Sequence, residues 1–310
     1  MATATTTVAI AGITGTLAGL ITKHLLKHPN VHINGLCRTP SKLPDLLRSE
    51  SRITLFKAES NDVKTIREAV RKADVVICCY LGDNTLMIDG QKTLIDASIA
   101  ESVPRYVASD YSMDFRKLDF GDHPVKDPMK HVQAYLETKK AQITAVHVLN
   151  ACFLERPWQG IWDNKIDTFK YWGTGDEKWE FTTYDNVAEY TAEIVLDKEA
   201  NGFLSFRGDY IDIHGIVTDF KAVYNLEPKI QNLGTLDDLY KIMHETRDRD
   251  PGNMWAWLGL FYTYYSLNGQ TVLPRPLDNN RYPNVRLVTV REFFTKTPKE
   301  RLGKTLFLEV

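Results

Sequence analysis

The chain has 310 residues, 43% apolar and 25% charged, with a formal net charge of −2. That length buries a sizeable core, enough for one α/β domain with a smaller companion, and the composition excludes a disordered chain. The near-neutral charge supplies no field to attract nucleic acid or an anionic membrane. The opening MATATTTVAIAGITG has no basic segment ahead of its apolar run and reads as a buried first strand, not a signal peptide. The longest later apolar stretch, 254–267, is too short for a bilayer and carries a glycine and hydroxyls, so no membrane span is expected. Cys37, Cys78, Cys79 and Cys152 form no C-x-x-C pair, and two of them lie in the apolar run VVICCYL. They read as reduced core thiols of a cytoplasmic protein.

Over the first 150 residues short β-branched runs alternate with helical patterns. Strands are predicted at 7–12, 32–37, 53–58, 74–79, 105–110 and 143–149, and amphipathic helices at 17–26, 40–47, 62–72, 89–100 and 127–139. Asn61-Asp62 stands ahead of VKTIREAV as a helix cap. Continuous apolar strands separated by helices indicate a parallel sheet covered on both faces. Right-handed crossovers then leave the doubly wound Rossmann arrangement. After Cys152 the pattern is irregular and richer in aromatics. Short strands at 168–172 and 203–207 bracket a helix at 186–196, helices follow at 213–224, 236–245 and 251–267, and the last element is 289–294. The expected division is a dinucleotide-binding domain, 1–155, and a smaller, mostly helical substrate-binding region, 156–310, partly interleaved with it.

The sharpest motif is Gly12-Ile13-Thr14-Gly15-Thr16-Leu17-Ala18, which follows an apolar strand and opens a helix. Gly12 suits the tight turn, Gly15 a close approach of backbone to pyrophosphate, and Ala18 close packing of helix on strand. The helix N-terminus adds free N–H groups and the positive end of a dipole. At the end of the second strand comes Cys37-Arg38-Thr39-Pro40-Ser41-Lys42. An acidic residue there takes the ribose 2′-hydroxyl of NAD, whereas an arginine accommodates a 2′-phosphate, so Arg38, with Lys42 one turn on, favours NADP(H).

With these motifs in hand, the chain resembles the NmrA-like and isoflavone-reductase-like branch of the short-chain dehydrogenase/reductase superfamily. The resemblance is carried by the Gly12/Gly15 turn, Arg38, Ala73-Asp74-Val-Val-Ile, Gln91 in GQKTLIDAS and VPRYVASDYSMD at 103–114. AYLE at 134–137, the stretch from Thr144 to Phe153, the GTG turn at 173–175 and NNRYPNV at 279–285 add to it. It implies a cytoplasmic NADPH-dependent oxidoreductase of phenolic, phenylpropanoid or polyketide-like compounds, of the kind found in secondary metabolism. It further implies that Gly12, Thr14, Gly15, Thr16 and Leu17 line the pyrophosphate and that Arg38 and Lys42 hold the 2′-phosphate. Cys79, Tyr80 and Leu81 would then flank the adenosine–ribose stretch, and Ser109 and Asp110 the nicotinamide.

One position departs from the family pattern. The reductases carry a lysine eight residues before the glutamate corresponding to Glu137, and here that position is Met129. Lys130 adjoins it and Lys126 lies one turn earlier. Hydride delivery builds negative charge on the substrate, so a nearby proton donor is needed. Tyr111, His123 and His131 are further candidates in the same segment. Tyr135-Leu-Glu-Thr-Lys139 spells YxxxK, but the pattern has little weight alone and lies about two turns too late, where Tyr135 should face the core. Trp257 and Phe261 in the aromatic run 255–265, with Phe153, Trp158 and Trp162, are expected to line an apolar pocket for a planar aromatic ligand, together with Tyr111, Met113 and Met129. No metal site is expected: His24, His28 and His32 have suggestive spacing, but the last two flank Pro29 and leave the helix, and there is no H-E-x-x-H or cysteine partner set.

Three functions fit this reading: an NADPH-dependent reductase of an aromatic small molecule, a non-catalytic NADP(H)-sensing regulator, and a non-redox isomerase, lyase or cyclase on the same fold. Each leaves room for a homo-oligomer.

Overall fold

Beginning at Val8, the first strand is wholly buried, and its alternate residues feed two different cores. The computed structural model describes residues 5–302. In β1 (Thr6–Ala11), Val8 and Ile10 join a cluster with Ile33, Val75 and Val146, while Ala9 and Ala11 join one with Leu36, Ala69 and Leu94. A strand with a core on each side is central in its sheet. From there the chain alternates as the pattern predicts: α1 (Thr16–Leu26), β2 (Val31–Cys37), α2 (Asp45–Arg48), β3 (Ile53–Lys57), α3 (Val63–Val70), β4 (Val75–Cys78), α4 (Gln91–Ala100), β5 (Arg105–Val107), α5 (Asp127–Lys139) and β6 (Thr144–Leu149). Asp62 caps α3 by accepting from Thr65 N–H at 3.1 Å.

Two of the boundaries that differ from the expectation have a clear cause. The helix read at 40–47 is a single 3₁₀ turn at Pro40–Lys42 followed by α2, because Pro44 interrupts it. The strand read at 105–110 ends at Val107, where the chain bends through Ser109 and Asp110 to Tyr111, a residue with φ +41°.

Beyond Leu149 come β7 (Cys152–Phe153), α6 (Trp158–Ile161), β8 (Trp162–Asp163), β9 (Thr168–Tyr171), β10 (Trp179–Thr182), α7 (Tyr184–Leu196), β11 (Gly202–Ser205), β12 (Asp209–Ile211), α8 (Ile213–Tyr224) and β13 (Lys229–Asn232). The chain ends with α9 (Leu236–Arg249), α10 (Met254–Leu267) and α11 (Val290–Lys296). The main sheet has seven parallel strands in the order β11-β6-β5-β4-β1-β2-β3, so its edge comes from the second half of the chain. Two three-stranded sheets, β12-β10-β7 and β13-β9-β8, accompany the C-terminal helices. Their strands of two to four residues are too short to show a period in the sequence. Strand order reverses between β1 and β4, and a doubly wound sheet opens its ligand crevice at that point, beyond the carboxyl ends of the strands.

Arg105 ties β5 to α7. Its guanidinium, 7% exposed, donates to the carbonyls of Ile194, Val195 and Asp197 at the C-terminal end of α7. Ile194 and Val195 belong to the last turn of the helix, whose carbonyls lack intrahelical donors, and Asp197 is its C-cap, which also accepts from Ala200 N–H at 3.1 Å. Arg105→Met leaves the Ile194 and Val195 carbonyls without that donor and lowers unfolding stability by about 2–4 kcal/mol, read from urea melts.

Candidate active site

At Gly12 φ is +81°, and a Cβ there would stand 2.8 Å from the carbonyl oxygen of Cys79. Its N–H donates to Leu36 O at 2.9 Å, so the turn after β1 is held against β2 while passing tightly beneath the end of β4. Glycine alone fits both constraints. Gly15 is the N-cap of α1; no side chain among the described residues caps that helix end, and its first turn holds no acidic residue. The first-turn N–H groups and the positive dipole end therefore stand free for an anion. Thr14, Gly15, Thr16 and Leu17 are exposed or half-exposed along this mouth. One supporting residue escaped the sequence reading: a Cβ on Gly35 in β2 would fall 2.5 Å from the Ile13 side chain, so Gly35 lets Ile13 sink beneath the turn. A lone glycine inside a strand was the available signal.

Arg38 follows β2, exposed, with no ion pair or hydrogen bond among the described residues. It borders an open recess of about 310 Å³ together with Lys57, Ala58, Glu59, Asn61 and Asp62. Lys42 is exposed on the neighbouring 3₁₀ turn. Across the switch point, Cys79 and Tyr80 are half-buried and Leu81 is exposed. The loop carrying them is fastened from below: Ser109 Oγ donates to Tyr80 O at 2.7 Å, and the Gln91 Oε1 accepts from Ser109 N–H and Tyr106 O–H, each at 3.2 Å. Burial pushes the Cys78 and Cys152 thiols up to about 12, which leaves both unreactive near neutrality. Asp110 turns its carboxylate inward to His147 Nδ1 at 2.6 Å, and that ring stacks on Phe203 at 4.2 Å.

The two lysines part company. Lys126 is the N-cap of α5, only 3% exposed, and its Nζ lies 2.9 Å from the Tyr262 hydroxyl of α10. Lys130 bonds the Leu118 carbonyl and covers the exposed Phe120 ring at 4.6 Å. His131 is exposed beside the same ring. His123 is fully buried among Phe261, Tyr262 and Tyr265; burial and the neighbouring Lys126 charge hold its pKa well below the usual histidine range, and neither ring nitrogen has a partner among the described residues. Met129 packs with Met113, Trp257 and Phe261 in one buried cluster. Trp257, Phe261 and Tyr265 form the buried stripe of α10, while Trp255 is 83% exposed. Met113, Ala151 and Cys152 border a void of about 10 Å³ with Ser266, Thr271, Val272 and Glu180, room for one water.

Four expected wall residues pack outside the Met129 cluster. Trp158 and Trp162 are core residues of the small C-terminal sheets, Trp158 against Phe293 and Phe294 and Trp162 against Phe169 and Phe220. Tyr111 belongs to the core beneath the sheet, where burial raises its pKa well above the ordinary phenol value. Phe153 is half-buried and stacks on Tyr184 at 3.8 Å. Tyr135 is half-buried and packs against the core cluster that holds Leu94, Val132 and Leu136, as expected, with its hydroxyl on Asp96 at 2.6 Å and Lys139 over its ring.

Glu155 joins β7 to the start of α7 by accepting from Tyr184 N–H at 3.0 Å. Burial raises its carboxyl to about 7. The folded protein therefore holds this proton more tightly than the unfolded chain, so the stabilisation it gives is present below about pH 4.5 and is lost as pH rises to about 7. Denaturant melts of Glu155→Gln are expected to lack this part of the pH dependence, about 2–3 kcal/mol between pH 4.5 and 8.

The model of the NmrA-like family matches residues 4–268. A curated relative named "Probable pinoresinol-lariciresinol reductase 3", from Arabidopsis thaliana, is 24% identical over 311 aligned residues, covering 92% of this chain and 95% of its own. A solved structure titled AtPrR2 with NADP+ and (+)pinoresinol superposes with a TM-score of 0.78 at 20% identity, covering 95% of this chain and 99% of that one. The binary complex of leucoanthocyanidin reductase with NADPH from Vitis vinifera gives 0.76 at 17% identity, covering 94% and 98%.

Proposed function

Because the chain belongs to the NmrA-like family, we propose that it is an NADPH-dependent oxidoreductase that reduces an aromatic, phenolic or polyketide-like small molecule. The observation that carries this reading is the Gly12 turn, where a Cβ would meet the Cys79 carbonyl and where α1 opens with neither a capping side chain nor an acid. Such a cradle fits a diphosphate. The unpaired Arg38 beside an open recess fits the extra phosphate that separates NADPH from NADH. The relatives whose names or titles specify reductases and NADP(H) support the same chemistry.

On this reading Thr14, Gly15, Thr16 and Leu17 hold the diphosphate, and Arg38 and Lys42 hold the 2′-phosphate. Tyr80, Leu81, Ser109 and Asp110 border the remainder of the coenzyme. When bound, NADPH supplies a hydride. Lys126 supplies positive charge where the substrate oxygen becomes negative, from a site sheltered from water in which such charge acts strongly. The cluster of Met113, Met129, Trp257 and Phe261 offers the apolar wall for a planar substrate.

The test mixes purified protein with NADPH and a panel of aromatic ketones and enones and follows loss of NADPH absorbance. Tight NADPH binding with no turnover across the panel would favour the regulator, and turnover of substrate without NADPH loss the non-redox enzyme. A companion measurement is Arg38→Ala, expected to weaken NADPH by about 30- to 100-fold in calorimetry and to leave NADH within about twofold, as loss of a charge-assisted fork to phosphate predicts.

A further inference from the structure

The bond between Lys126 and Tyr262 leaves one proton without an acceptor. An ammonium has three donors and no lone pair, so across the 2.9 Å contact Lys126 donates and the Tyr262 oxygen accepts. The phenol's own O–H then has no acceptor among the described residues. Tyr262 is half-buried, flanked by the fully buried His123 ring at 4.7 Å, whose nitrogens take no part in the bond. Ser266 lies four residues on along α10, hence on the same helix face, and borders the void shared with Met113, Ala151 and Cys152. The Lys126 charge is also felt at Cys152. A phenol proton beside a cation is thus available at the apolar cluster in which Met129 stands.

We propose that Tyr262 is the catalytic proton donor of this protein, with Lys126 as the cation bonded to its oxygen. The proposal rests on the reductase reading above and names the residue that completes it. As the substrate carbonyl carbon gains a hydride from the reduced nicotinamide, a C–H bond forms and the C=O π bond breaks. The oxygen takes the Tyr262 proton, forming O–H and leaving a phenolate that the Lys126 ammonium stabilises until a proton from solvent restores it. The nicotinamide is oxidised and the carbonyl compound reduced to an alcohol. Tyrosine and lysine here come from elements 136 positions apart in the chain, and no short motif announces them.

The experiment compares wild type, Tyr262→Phe, Lys126→Met and the double variant in three measurements. These are NADPH affinity by calorimetry, steady-state reduction of an aromatic ketone found in the panel, and binding of acetophenone to the NADP+-loaded protein. Tyr262→Phe keeps the ring that packs on His123 and is expected to fold. Its expected result is a fall in kcat of about 100-fold or more, about tenfold weaker acetophenone binding, and NADPH affinity within twofold. The double variant should lose little more than the worse single one, because the two side chains act as a unit. Turnover and acetophenone binding within about threefold of wild type in Tyr262→Phe would overturn the proposal and leave the reductase reading standing. Loss of NADPH affinity in that variant would overturn it too, by assigning Tyr262 to coenzyme binding. A wild type that binds NADPH and reduces no carbonyl compound would remove the reductase reading and this proposal with it.

Discussion

Gly12→Val is expected to abolish NADPH binding, weakening it by more than about 100-fold, and to lower stability by about 2–4 kcal/mol. Two independent costs act at this position. A β-branched residue at φ +81° is strained wherever it occurs, and its Cβ would stand 2.8 Å from the Cys79 carbonyl oxygen, a backbone atom that cannot swing aside. Relief requires the turn to lift from the end of β4, which moves the start of α1 and misaims the N–H groups that would meet the diphosphate. Gly15→Ala separates binding from stability. Gly15 has φ −76°, and its added Cβ would lie 3.3 Å from Gly12 O. The fold should therefore lose less than about 1 kcal/mol. On the proposed seating of the diphosphate the methyl group would fill the face that phosphate approaches, and NADPH should bind about tenfold more weakly. Calorimetry and thermal melts on both variants check the pair.

Lys126→Met is expected to reduce turnover by about 100- to 1,000-fold with NADPH affinity unchanged, whereas Lys130→Met retains turnover within about threefold. The contrast follows from burial. Lys126 is 3% exposed and meets Tyr262 across the apolar cluster; a cation removed from water acts on developing negative charge with far less screening than one at the surface. Lys130 is held to the Leu118 carbonyl over the exposed Phe120, and a group so engaged delivers no proton to the cluster around Met129. Methionine has about the length of the lysine stem and retains the packing. Steady-state kinetics with the same ketone for both variants distinguishes them, and equal losses in the two would contradict the account.

The sequence read well where chemistry is local. The Gly12 turn, the Asp62 cap and the strand–helix alternation each depend on a few neighbouring residues, and Asp127–Lys139 and Ile213–Tyr224 appear with the boundaries their patterns predict. Legibility failed where partners come from afar. Trp158 and Trp257 look alike as aromatics in apolar runs, yet one packs on α11 and the other beside Met129, a difference set by tertiary contacts. Arg105 in β5 and the His147 partner of Asp110 carry no local signal. Lys126 and Lys130 were equivalent on spacing alone; the helix start at Asp127 decides which one turns inward. Gly35 was the missed clue, a strand glycine whose value shows only beside Ile13.

The most direct test of the central claim is an equilibrium titration of the purified protein with NADPH and, separately, with NADH. Dinucleotide phosphates seated on the open amides of α1, with Arg38 selecting the 2′-phosphate, predict saturable one-to-one binding of NADPH in the micromolar range or tighter and at least tenfold weaker NADH. Absence of measurable affinity for either coenzyme would contradict it.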